Sequence, residues 1–109
     1  MVSRRTQVVN TKERLPKVGC AKFIVKGKVQ RVYYRKYVSQ ALMKAGYIGF
    51  VKNLKDGTVE VTLKTEPNQN ISEVLEILNA GSPKSEVSGI EMSMCDEEVQ
   101  FTNSFEVKY

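Results

Sequence analysis

The fold is organised around the stretch Lys26-Gly27-Lys28-Val29-Gln30-Arg31-Val32-Tyr33-Tyr34-Arg35. Residues 20–26 alternate in polarity, which predicts a strand, and residues 34–45 carry apolar side chains at the spacing of an amphipathic helix. A loop between a strand and a helix leaves backbone N–H groups unpaired, and the helix N-terminus adds about half a positive charge. Arg35 adds a fixed cation in the first helical turn. The stretch therefore predicts a site that holds a phosphate or a carboxylate.

The composition is that of one small globular domain. The chain has 109 residues, of which 41% are hydrophobic and 27% charged. No apolar run approaches the roughly 18 residues needed to span a membrane, and no secretory segment follows Met1. Cys20 and Cys95 lie far apart and no histidine accompanies them, so zinc-ligand spacing and a Cys–His catalytic pair are absent. We expect free thiols in a cytoplasmic monomer, with no metal, no cofactor and no membrane partner.

The positive charge is concentrated at the start of the chain. Residues 1–17 carry a balance of +4 out of the net +5, so residues 18–109 are close to neutral. These first residues show no sustained period and end in Leu15-Pro16, which predicts a flexible basic arm ahead of a folded domain at 18–109. Any affinity for nucleic acid belongs to the arm, and we do not expect the domain to bind it.

The remaining elements follow from apolar periodicity and turn residues. Strands are predicted at 47–52, 58–64, 90–94 and 105–109, with a tight turn at Lys55-Asp56-Gly57, a helix from Asn70 to the stop at Gly81-Ser82-Pro83, and a loop at Asp96-Glu97-Glu98. The order is βαββαββ. It predicts an α+β protein of the ferredoxin-like, split-βαβ type, with an antiparallel sheet and two helices packed on one face. Met92 and Met94 are expected in the core.

Two side chains are the candidates for chemistry. Arg35 sits near a helix N-terminus, where a cation is mildly unfavourable, so a functional role is favoured over a place on a solvated surface. Asn53 ends the second strand and is equally well interpreted as a turn residue, and the sequence alone does not bring it to the loop. Without histidine, metal ligands or an activated nucleophile, the reaction that fits is attack by water on an already activated phosphate.

Two spaced motifs resemble those of the acylphosphatase family. Residues 27–35 resemble the signature G-x-V-Q-G-V-x-[FY]-R, and residues 46–53 and 56–60 resemble G-x-x-G-[WF]-V-x-N followed by D-G-x-V-E. The resemblance covers about residues 20–109. It implies metal-independent hydrolysis of a small-molecule acyl phosphate, with Arg35 binding the phosphate and Asn53 positioning the attacking water. The phosphate-binding loop that it implies consists of Gly27, Lys28, Val29, Gln30, Arg31, Val32, Tyr33 and Tyr34.

One position departs from the family pattern, because Arg31 stands where the signature has glycine. If the loop is left-handed there, a residue other than glycine costs on the order of 1–2 kcal/mol, which predicts reduced activity. Two alternatives stay open. One is a protein of this fold that binds phosphorylated ligands or a partner without turnover. The other is an RNA-binding module, since Gly46-Tyr47-Ile48-Gly49-Phe50-Val51 is close to an RNA-recognition signature, although one residue too long.

Overall fold

The computed structural model describes residues 19–65, 70–95 and 99–109. The predicted arm at 1–17 and the predicted loop at 96–98 lie outside the described residues. The elements are β1 (Gly19–Lys28), α1 (Tyr34–Lys44), β2 (Gly49–Asn53), β3 (Val59–Thr65), α2 (Ile71–Ala80), β4 (Glu86–Met94) and β5 (Phe105–Lys108). The predicted βαββαββ order is confirmed. In the part of the chain that is described, no helix has the length and apolar character needed to cross a bilayer.

The five strands form one sheet in the order β4-β1-β3-β2-β5, and the predicted ferredoxin-like α+β fold is confirmed. One detail differs from the prediction. The first four strands pair antiparallel, but β5 runs parallel to β2, so the sheet is mixed. The reason is topological. Because β4 ends at the same end of the sheet at which β2 starts, β5, the next strand in the chain, begins at this end and runs in the direction of β2.

The core lies between the sheet and the two helices. Phe23 of β1 is paired with Val61 of β3 and both are fully buried, as the alternation of the two strands predicts. The helices contribute the apolar side chains of their inner faces. The fully or almost fully buried side chains are Ala21, Phe23, Val25, Val29, Tyr34, Val38, Leu42, Val51, Val59, Val61, Leu63, Val74 and Leu78.

The prediction that Met92 and Met94 belong to the core is wrong. The two side chains lie on the same face as the core, because Met92 is paired with Phe23 and Met94 with Ala21. They are nevertheless 47% and 55% exposed. The reason is that β4 forms the edge of the sheet, where a strand has a neighbour on one side only. The alternation of apolar and polar residues indicates which face of the sheet a side chain lies on, but not whether its strand is central or at the edge.

The prediction of two free thiols is also wrong, because Cys20 and Cys95 form a disulfide. The antiparallel register of β1 and β4 places Ala21 opposite Met94, so the adjacent positions, Cys20 and Cys95, also lie opposite each other. Their Cα atoms are 5.3 Å apart, and the backbone N–H of Cys95 donates to the carbonyl of Cys20 at 3.0 Å. The sequence did not predict this pairing, because the two cysteines are 75 residues apart and only the strand order brings them together.

Candidate active site

The loop between β1 and α1 has an unusual backbone. Arg31 and Tyr33 adopt φ angles of 64° and 61°, both in the left-handed region. Within the described ranges, the N–H groups of residues 30–33 have no acceptor. Tyr33 is the N-cap of α1 but its side chain makes no capping hydrogen bond, and the first helical turn contains no acidic residue. The loop and the helix start therefore contain several unpaired donors that are close together in the chain, which is a feature of anion-binding loops.

Glycine is required where the loop leaves the sheet. Gly27 has a φ of 126° and lies at a register shift in the pairing of β1 with β4. A Cβ atom built at this position would collide with the backbone carbonyl of Glu86. The extra residue of this register shift is Ser88 of β4, and Gly27 is the position of β1 at which the β4 backbone approaches too closely for a side chain.

The side chain of Gln30 fixes the loop to the turn between β2 and β3. Its Nε2 donates to the carbonyl of Leu54 at 2.8 Å and to that of Thr58 at 2.9 Å. The side chain of Gln30 is thus committed to the turn and does not line the cavity described below. Leu54 directly follows Asn53, so this contact links the phosphate-binding loop to the end of β2. The sequence did not predict that link.

Two further contacts hold the loop from the side of α2. The hydroxyl of Ser82 is buried and donates to the carbonyl of Val32 at 2.6 Å. The hydroxyl of Tyr34 donates to the carbonyl of Leu78 at 2.6 Å. Burial raises the pKa of the Tyr34 phenol, so it remains a hydrogen-bond donor at ordinary pH. The loop conformation is therefore held by tertiary contacts on two sides.

Arg35 is oriented by the last strand. Its Nη1 donates to the carbonyl of Lys108 at 2.7 Å, and its guanidinium carbon lies 4.7 Å from the centroid of the Tyr109 ring. A hydrogen bond and a stacked ring restrict the guanidinium to one plane. The sequence prediction missed both partners, because no local signal connects the first helix with residues more than 70 positions away.

Arg35 and Asn53 line one cavity of about 630 Å³. The Oδ1 atom of Asn53 is buried and accepts no hydrogen bond from any residue in the described ranges. A buried acceptor without a partner is expensive, which indicates that a donor from outside the chain belongs there. The residues that line the cavity are Val29, Arg31, Tyr33, Tyr34, Arg35, Lys36, Ser39, Gln40, Asn53, Val107 and Tyr109.

The turn after β2 does not use the Asn53 carboxamide oxygen. Asp56 performs the turn function instead, since its Oδ1 accepts hydrogen bonds from the N–H of Thr58 at 3.0 Å and from its hydroxyl at 2.6 Å. These hydrogen bonds lower the pKa of the Asp56 carboxyl. Of the two interpretations that the sequence left open for Asn53, the structure favours a polar group of the cavity.

The cavity has a positive electrostatic character. Its charged side chains are Arg31, Arg35 and Lys36, and no acidic side chain lines it. Across the described residues, no group of three or more histidine, cysteine, aspartate or glutamate side chains has the arrangement of a metal site. What the arrangement offers is a set of N–H donors and cations for an anion, and one buried acceptor for a donor such as water.

Comparison with known proteins gives one consistent result. The acylphosphatase family model matches residues 21–107. A protein of Dehalococcoides mccartyi named acylphosphatase is 35% identical over 91 residues, which are 83% of this chain and 98% of the relative. The crystal structure of an acylphosphatase from Bacillus subtilis superposes with a TM-score of 0.71 at 31% identity, covering 84% of this chain and 99% of that one. An acylphosphatase from Coxiella burnetii gives 0.70 at 30% identity, covering 84% and 94%.

Proposed function

Because this chain belongs to the acylphosphatase family, whose members are hydrolases that act on acid anhydrides, we propose that it hydrolyses acyl phosphates to a carboxylate and inorganic phosphate. The observation that carries the proposal is that the Arg35 guanidinium and the unpartnered Asn53 Oδ1 line the same cavity. A phosphate-binding group and a water-binding group in one cavity are the two elements that this hydrolysis needs.

The phosphoryl group binds to the loop. The N–H groups of residues 30–33 and the guanidinium of Arg35 donate to its non-bridging oxygens. The preorganised donors stabilise the charge that develops on these oxygens as the bond to the leaving group lengthens. Arg35 enters this interaction in a fixed orientation, because Lys108 and Tyr109 already hold it.

Asn53 orients the attacking water. Its Oδ1 accepts one hydrogen bond from the water, whose oxygen then attacks phosphorus. The P–O bond to the acyl group breaks, and the acyl group leaves as a carboxylate, which is too weak a base to need a proton. Both protons of the water end on the phosphate product as dihydrogen phosphate, which ionises further with pH. A good leaving group makes a strong general base unnecessary, and we propose that the reaction needs no metal.

The two alternatives differ in their support. Binding of a phosphorylated ligand without turnover would use the same loop and cavity, and the left-handed φ of Arg31 is the observation that favours it. RNA binding has less support, since the aromatic residues of the signature-like stretch are not available for stacking: Tyr47 is 4% and Phe50 8% exposed.

Hydrolysis of acetyl phosphate in the presence of EDTA tests the proposal. Turnover that survives the chelator is expected, and phosphate binding without any hydrolysis would support the non-catalytic alternative. Arg35→Ala is expected to lower kcat/KM more than a hundredfold and to weaken inhibition by inorganic phosphate. Lys44→Ala, which removes an exposed cation from the other end of α1, is the matched control and should change neither quantity.

Asn53→Ala tests the division of roles. We expect kcat to fall about a hundredfold while inhibition by inorganic phosphate changes less than about twofold, because a residue that orients water acts mainly in the transition state. An equal loss of phosphate binding in the Arg35 and Asn53 variants would contradict the roles assigned here.

A further inference from the structure

The cavity is much larger than the reacting groups require. A phosphoryl group and a water contain about five heavy atoms, and one water takes about 30 Å³ of liquid volume. The cavity of about 630 Å³ thus leaves most of its space to the acyl portion of the substrate. The chemistry of the remaining lining residues indicates what that portion contains.

The cationic side chains of two cavity residues have no role in the reaction described above. Arg31 and Lys36 are exposed, line the cavity, and make no ion pair with any residue of the described ranges. Arg35, in contrast, is held by the carbonyl of Lys108. In sequence, Arg31 lies within the phosphate-binding loop ahead of α1, and Lys36 lies in the first turn of α1, next to Arg35.

The geometry of the displacement directs the acyl group away from the attacking water. In an in-line displacement the leaving group departs from the side of phosphorus opposite to the attacking water. The water is held by Asn53, whose Oδ1 is buried. The acyl group is therefore directed away from Asn53 Oδ1, and the exposed side chains of Arg31 and Lys36 are the cations of the same cavity that it can meet.

The backbone of Arg31 is a second, independent observation. The residue adopts a left-handed φ of 64°, a conformation that is strained for any side chain other than glycine. Tyr33 shares this conformation with a φ of 61°, but of the two residues Arg31 alone carries a cation. Strain next to a site points to a functional role for the side chain at the strained position.

We infer that this protein selects acyl phosphates whose acyl portion carries a second anionic group, a carboxylate or a phosphate, and that Arg31 and Lys36 bind that group. The inference rests on the proposed function, since it assigns the leaving-group side of the same site. It adds two specificity-determining residues to the two residues of the reaction itself.

The test compares two substrates that share the reacting group. Acetyl phosphate has a neutral acyl portion, whereas succinyl phosphate adds one carboxylate. The quantity measured is the ratio of kcat/KM for succinyl phosphate to that for acetyl phosphate. In Arg31→Gln and in Lys36→Gln this ratio is expected to fall up to about fivefold, the strength of a partly exposed ion pair, and to fall further in the double variant. Raising the salt concentration should lower the ratio of the unmodified protein in the same direction.

The controls separate charge from shape. Arg31→Lys keeps the cation and should retain most of the ratio, whereas Lys44→Gln removes a distant cation and should leave the ratio unchanged. Lys36→Gln changes an exposed helical position, so it tests the inference even if the Arg31 variants fail to fold. An unchanged ratio in Arg31→Gln and Lys36→Gln overturns the inference while hydrolysis of acetyl phosphate leaves the proposed function standing. Failure of the unmodified protein to hydrolyse either substrate overturns both.

Discussion

Arg35 of the first helix stacks on Tyr109 beyond the last strand, with 4.7 Å between the guanidinium carbon and the ring centroid. The same guanidinium donates to the carbonyl of Lys108 at 2.7 Å. Both contacts depend on the parallel pairing of β5 with β2, which aligns Val51 with Val107 and Lys52 with Lys108. The orientation of the proposed phosphate-binding residue is therefore set by the sheet edge farthest from β4.

Tyr109→Ala is expected to weaken phosphate binding by about two- to fivefold, since a cation–π contact at an exposed site contributes about 0.5–1 kcal/mol. The hydrogen bond to the Lys108 carbonyl remains, so the loss should be partial. The inhibition constant of inorganic phosphate measures the effect. Tyr109→Phe keeps the ring and serves as the matched control, and an equal loss in both variants would show that stacking is not the cause.

Arg31→Gly is expected to stabilise the protein and to raise kcat for acetyl phosphate. Relief of the left-handed strain contributes about 1–2 kcal/mol, and the larger unfolded-state entropy of glycine offsets about 0.4–1 kcal/mol of it. A net gain of about 1 kcal/mol corresponds to an increase in melting temperature of about 4–8 °C. The matched control is Arg31→Ala, which removes the same charge but keeps the strain. Identical melting temperatures and kcat values for the glycine and alanine variants would contradict the strain argument.

Reduction of the Cys20–Cys95 disulfide should destabilise the protein without impairing activity at 25 °C. Releasing a cross-link that spans 75 residues destabilises by up to about 4 kcal/mol in the chain-entropy model. Cys20 lies near the start of β1, whereas the loop leaves from its end at Lys28, about 25 Å away at the rise of a strand.

Thermal unfolding with and without dithiothreitol measures this effect, and a loss of up to about 16–32 °C is expected. The double variant Cys20→Ala/Cys95→Ala should match the reduced protein and be insensitive to reductant. Loss of acetyl phosphate hydrolysis at 25 °C in that folded variant would show that the disulfide acts on the site.

Stability should decrease as pH rises above about 10, in part because of Tyr34. Burial raises the pKa of the Tyr34 phenol above its ordinary value of 10.0. Between the two pKa values the unfolded chain loses the proton and the folded chain keeps it, so the contribution is complete below pH 10 and is lost above it. The pKa of Tyr47 is also raised, chiefly by burial and then by its hydrogen bond with Glu73, so it adds to the same trend.

Tyr34→Phe isolates the contribution of the first residue. At pH 8 it should lower the free energy of unfolding by about 1–3 kcal/mol, because the Leu78 carbonyl loses its buried partner. The difference in stability from the unmodified protein should then shrink between pH 10 and pH 12, as measured by urea unfolding. A difference that is constant across this range would contradict the assignment of the alkaline effect to Tyr34.

The fold was predictable because its signals are local. Alternation in β1 and β3, the helical stripe containing Tyr34, and the N-cap at Asn70 each follow from neighbouring residues, and Asn70 Oδ1 does accept from the N–H of Ser72 at 3.0 Å. The errors came from tertiary relationships. Met92 is exposed because β4 is an edge strand, and the cysteine pair forms because β4 lies beside β1.

In the candidate site too, features with a local signal were predictable and features that depend on tertiary contacts were not. The positions of Arg35 and Asn53 were predicted from motifs, but the cavity that they share depends on the contact of Gln30 with Leu54 and Thr58. Lys36 and Tyr109 were missed. No local pattern marks a lysine in a first helical turn or an aromatic residue 74 positions beyond Arg35 as a part of the same cavity.

The disulfide also determines how the protein would respond to mechanical force. When force is applied to chain positions before residue 20 and after residue 95, the disulfide carries the load. The segment between the two cysteines, which would measure roughly 250 Å if fully extended, therefore cannot be stretched. The loop, Arg35 and Asn53 all lie inside that shielded segment. Among the five strands that the structure describes, β5 alone lies wholly outside it. Tension would thus detach β5 from β2 first and release Arg35 from Lys108, so a stretched molecule would keep its loop and lose the orientation of its arginine.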